Sequence, residues 1–146
     1  MPKLHDIWPN DCYCGAAVLA ALTGCHAKKG PRAWINDVRG RPANQGVLRI
    51  DNHELLATLA SRGYVAKATH LVEPKKPWLY SERPTLTQFI EDHVASGQFW
   101  IVNVTEHYVA VLNGCIADNE IRFGCPISEH PSRRKRVKAA WHIVNA

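Results

Sequence analysis

Cys14 heads the apolar stretch CGAAVLAALT, with Gly15 directly after it and Asn10 and Asp11 just before. The first turn of a helix presents free N–H groups and a partial positive charge. Both favour a thiolate over a thiol, and the Cys14 N–H could also hold the oxyanion formed when sulfur attacks a carbonyl. The competing reading is structural, since free cysteine is among the most buried residue types. A nucleophilic cysteine needs a base, and His107 is the best placed of the eight histidines. It opens the strand-like run HYVAVL, where a ring could reach a helix terminus and still meet water.

The base in turn needs an orienting group. Asn113-Gly114 is a strong signal for a two-residue hairpin turn. That turn pairs Leu112 with Cys115, sets Val109 opposite Asp118, and sets Tyr108 opposite Asn119. His107 and Val109 then share a face with Asp118, and His107 and Asp118 are diagonal neighbours. A three-residue turn with a bulge would reverse the parity and select Asn119. The Asn-Gly pair favours Asp118.

The elements that must position these groups read as α+β, helices early and strands late. Over 14–22, Cys14, Ala17, Val18, Ala21 and Leu22 recur on one helical face, with Asn10 and Asp11 as caps and Gly24 as the stop. A short helix is expected after Pro31, through Trp34 and Val38, and residues 39–51 read as a loop. Asn52 is expected to cap a helix over His53 to Arg62, with Leu55, Leu56 and Leu59 inward and Gly63 beyond. Tyr64 to His70 reads as a strand, and residues 73–84, with three prolines, as an irregular crossing. Thr85 and Gln88 form a capping-box pattern for a helix to about Ala95. Phe99 to Val104, His107 to Leu112, Cys115 to about Phe123 and Ala140 to Val144 read as strands.

CGAAVLAALTG (14–24) followed by HYVAVLNGCIADN (107–119) resembles the papain-like cysteine peptidases. The nearest branch is that of the leader-peptide-cleaving peptidases of bacteriocin exporters and small phage-encoded proteins of the same pattern. The resemblance covers about half the chain and implies a papain-like fold, with an N-terminal helix carrying the cysteine packed on an antiparallel sheet. It implies Cys14, His107 and Asp118 as the catalytic residues and cleavage of a peptide or amide bond through a thioester, without a cofactor. In that branch a Gln several residues before the cysteine completes the oxyanion hole. Trp8 stands six residues before Cys14, and Asn10 is the neutral amide near enough to take that role. Asn-Asp-Cys12 offers a competing frame, but only the Cys14 frame keeps the Gly and the Ala/Leu spacing. The runner-up function is a silent papain-like fold serving as a phage virion or host-interaction protein.

Composition sets the remaining limits. With 46% apolar and 21% charged residues, the chain is in the globular range rather than the disordered one. Its 146 residues suit one domain, 1–146. No apolar run reaches the roughly 20 residues of a membrane span, and no signal peptide is evident, so a cytoplasmic location and no membrane partner are expected. Five cysteines in such a chain argue against a full disulfide framework. Cys12, Cys14, Cys25, His26, Cys115, Cys125 and His130 lack the spacing of a structural zinc site, so no metal is expected. Cys25 and Cys115 read as core or strand residues, and Trp8, Trp34, Trp78, Trp100 and Trp141 as core. The net charge of +5 owes much to Arg133, Arg134, Lys135 and Arg136. That run reads as a solvated loop or strand edge. Nucleic-acid contact through it is the lesser reading, since no aromatic residue interleaves with it.

Overall fold

The computed structural model describes residues 2–9, 11–68, 83–105 and 107–146. Its helices are α1 (Cys14–Thr23), α2 (Pro31–Arg39), α3 (Asn52–Ser61) and α4 (Leu86–His93). Its strands are β1 (Tyr64–Ala68), β2 (Phe99–Val104), β3 (His107–Leu112), β4 (Cys115–Ala117), β5 (Cys125–Pro126) and β6 (Val137–Asn145). All six strands join one antiparallel sheet in the order β1-β6-β2-β3-β4-β5. The α+β class and the antiparallel sheet are thus as expected.

The alternation of side chains explains the layering. Phe99, Ile101, Tyr108, Ala110, Leu112, Trp141 and Ile143 point to one face, where they pack with the buried residues of α1, α2 and α3. Trp100, Val102, Val104, Val109, Val111 and Val137 point to the other, against Leu86, Phe89 and Ile90 of α4. β2 reads as a nearly unbroken apolar run because it is covered on both sides.

Several local expectations hold. Gly24 ends α1 in the left-handed conformation, at φ 77°. Pro31 opens α2, and the Thr85–Gln88 capping box opens α4. The β3–β4 turn has positive φ at both Asn113 and Gly114, as a twisted two-residue hairpin requires. Its register pairs Leu112 with Cys115 and Ala110 with Ala117, as the turn type predicts.

Other expectations are corrected. Asp11 does not cap α1; Tyr13 is the N-cap residue, with no side-chain bond, and Asp11 pairs with Lys28. α3 is capped by Asp51, whose carboxylate accepts from Glu54 N–H, while Glu54 returns a bond to Asp51 N–H. Asn52 is therefore the first residue of the helix, which frees its side chain. α4 stops at His93, before Ala95. β4 ends at Ala117 rather than near Phe123, because Asp118 turns the chain: its Oδ1 accepts the N–H groups of Glu120 and Ile121. β6 starts earlier than expected, at Val137, directly after the basic run, and lies between β1 and β2. Arg134 and Lys135 are exposed, and Arg133 and Arg136 donate to backbone carbonyls. Trp8 and Cys25 are exposed, not core. Trp78, residues 69–70 of the strand read from Tyr64, and most of the 73–84 crossing lie outside the described residues.

Candidate active site

Three elements bring the site together. α1 packs on β3, and its buried Ala16, Ala17, Ala20 and Ala21 are small side chains that admit a close approach. The first turn of α1 carries Cys14 to the start of β3. The early end of β4 then leaves the edge of β3 unpaired at Tyr108, since the ladder stops at Ala110–Ala117. The Cys14 sulfur sits at that edge, close enough to the Tyr108 N–H, the Gly15 N–H and the His107 ring for each to favour its thiolate. The uncapped helix start thus sets the sulfur beside one of its orphan donors.

Burial works against the Cys14 thiolate, yet these donors and the facing imidazolium outweigh it and hold the thiol below its ordinary value of 9.0. Cys12 behaves oppositely: it is buried, and burial pushes its thiol up. The two frames left by the sequence are therefore separated by environment.

His107 is 17% exposed, with its Nε2 2.8 Å from Asp118 Oδ2, so Nδ1 is the nitrogen left for the sulfur. Burial again opposes the charged ring, but the bonds to Asp118 and to Cys14 raise its pKa to about 9. Asp118 is 1% exposed. Its carboxyl is held well below the usual range, since donors from His107, His130 and the Ile121 N–H outweigh the burial penalty. Asn119, the alternative third member, makes no bond to His107; its Oδ1 is buried without a partner among the described residues.

The sequence points to His130 only as a metal ligand. It is 1% exposed, and its Nε2 lies 3.0 Å from Asp118 Oδ2, set off the straight hydrogen-bond line. Its Nδ1 accepts the Ser132 N–H, which places the ring proton on Nε2, facing the carboxylate. Asp118 is thus shared by two imidazoles. No spacing rule announces this, because His130 arrives from a turn after β5 and a short 3-10 segment. Among the described residues no group of three or more His, Cys, Asp or Glu is arranged to hold a metal ion.

Gly15 gives Ile50 room to pack: a Cβ on Gly15 would run into Ile50 Cγ2. This contact seats the 40–50 loop against the nucleophile. The loop forms one wall of a cleft of about 910 Å³ that includes Cys14, Leu48, Arg49, Asn52, Asn103 and Tyr108. In the same lining, Asn52 Oδ1 accepts from Tyr108 OH at 2.7 Å and from Asn103 Nδ2 at 3.0 Å. Asn10, the expected oxyanion donor, lies outside the described residues. Cys14 N–H remains a first-turn donor without an intrahelical acceptor. Trp8 packs on Phe123 under Arg122, away from the cleft lining.

Comparison with protein family models, with curated proteins and with solved structures finds no match. Among the described residues no helix is long and apolar enough to cross a membrane.

Proposed function

We propose that the chain is a papain-like cysteine peptidase or amidase. The observation that carries the reading is the run of contacts from the Cys14 sulfur to the His107 ring and from His107 Nε2 to Asp118 Oδ2 at 2.8 Å. A lowered thiol and a raised imidazole favour a thiolate–imidazolium pair. The Cys14 sulfur attacks the carbonyl carbon, and the oxyanion develops beside the Cys14 N–H. His107 gives its proton to the leaving amine, leaving an acyl thioester. It then takes a proton from water, which attacks the thioester and releases the acid. Asp118 holds the ring in the tautomer and orientation that these transfers need.

The open cleft also supports this reading over that of a silent binding module. Trp8 and Tyr13, the large aromatic residues just before Cys14 in the chain, are 51% and 47% exposed and do not line it.

The test uses the full chain and a peptide library read by mass spectrometry. New peptide termini are expected with the wild type, and none with Cys14→Ala or His107→Ala. At mildly acidic pH a thiol-reactive probe is expected to label Cys14 in the wild type and in Cys12→Ser. Cleavage that survives Cys14→Ala, or labelling lost in Cys12→Ser but kept in Cys14→Ala, would overturn the reading.

A further inference from the structure

Three arginines and two acids line the cleft beside Cys14: Arg39, Arg41, Arg49, Asp51 and Glu54. The acids are already engaged. Arg39 grips both oxygens of Glu54, and Glu54 Oε1 also accepts the Asp51 N–H. Asp51 Oδ1 accepts the Glu54 N–H as the cap of α3. Arg41 and Arg49 are exposed and make no ion pair among the described residues. Arg41 acts on Glu54, which Arg39 already holds. The lining therefore carries one positive charge in excess, on two guanidinium groups free to fork onto a carboxylate.

We propose that this cleft selects acidic peptides, with Arg41 and Arg49 receiving carboxylate side chains that flank the bond presented to Cys14. The proposal rests on the hydrolytic reading of Cys14 and names its substrate class. A cleft of about 910 Å³ is large enough for a short peptide segment rather than a single side chain. The loop that carries Arg41 and Arg49 is seated on the nucleophile through Ile50 and Gly15, so the two charges are tied to the reacting sulfur.

The test compares the alkylation of Cys14 by iodoacetate, an anion, with that by neutral iodoacetamide. The ratio of the two rates, divided by the same ratio for glutathione, reports the field in the cleft. A unit charge within a Debye length of about 8 Å changes such a rate roughly two-fold. The ratio is expected to fall about four-fold in Arg41→Gln/Arg49→Gln, to fall at high salt, and to stay in place in Arg134→Gln/Lys135→Gln, which removes an equal charge at exposed positions elsewhere. In the second arm, N-acetylated, C-amidated tri-glutamate is expected to protect Cys14 from iodoacetamide, and tri-glutamine to protect it far less.

A ratio unmoved by the double substitution would overturn the proposal. So would protection by tri-glutamine with a free carboxyl end but not by the glutamate peptide, which would mark a site for chain termini. The hydrolytic reading fails separately, if Cys14 alkylates no faster than glutathione at mildly acidic pH. The ratio can be read at any absolute rate.

Discussion

Asp118→Asn isolates the electrostatics of the site. The side chain keeps its volume, and an amide oxygen can still accept the Glu120 and Ile121 N–H groups that shape the turn. The carboxylate charge facing His107 is lost. His107 stands at about 9 against an ordinary 6.5, with Asp118 the larger and Cys14 the smaller of the two partners that raise it against burial. Removing the larger should bring the ring back toward its ordinary 6.5, a change of about 3 kcal/mol at about 1.4 kcal/mol per pH unit. The assay is an NMR titration of the imidazole carbons, with His107 assigned by its loss in His107→Gln. A midpoint near 9 is expected for the wild type and near or below 7 for Asp118→Asn. The alkaline limb of any hydrolytic pH profile should move down with it, because a neutral ring has no proton for the leaving amine. A midpoint that stays above 8 in Asp118→Asn, in protein whose urea midpoint shows it folded, would refute the assignment of the shift to Asp118.

Gly15→Ala places a methyl group against Ile50 and should cost about 1–3 kcal/mol by overpacking, despite the better helix propensity of alanine. In an Ile50→Ala background the same change should become neutral or stabilising, and urea denaturation of the four proteins checks the reversal. His130→Ala removes a buried ring and a donor facing Asp118 and should cost about 3 kcal/mol, with His130→Gln recovering part of it; urea midpoints again decide. The native Asp118 pKa lies below its unfolded value of 3.8, so its contribution to stability is in place above that value and is lost as pH falls toward the native one. Acid titration of stability should therefore be shallower in Asp118→Asn than in the wild type.

The parts of the site set by short-range rules were legible in the residues. Asn113-Gly114 specifies its turn, the turn specifies the register, and the register brings Asp118 rather than Asn119 toward His107. The span of α1 follows from its apolar period, and Gly24 from the need for a left-handed stop. Features that depend on distant packing left no such trace. The purpose of Gly15 depends on Ile50, and the burial of His130 depends on where the turn after β5 falls. The early end of β4 comes from an Asp side chain capturing two backbone donors, which strand propensity does not weigh. The capping of α3 by Asp51 instead of Asn52 was a contest between adjacent good caps. Glu54 decides it, because only Asp51 has Glu54 at the third helical position.

The wall of the cleft and the acid–base pair are anchored in different places. His107 opens a strand whose following residues are buried against layers on both sides of the sheet. Within residues 40–50 only Val47 and Ile50 are buried, and Asn36 grips the carbonyls of Ala43 and Gln45 from below. Such a loop is a natural cassette. Its length and charge could be varied by grafting between Gly40 and Asp51, with Ile50 retained as the plug over Gly15, to retarget the pocket while the strand-borne imidazole keeps its footing.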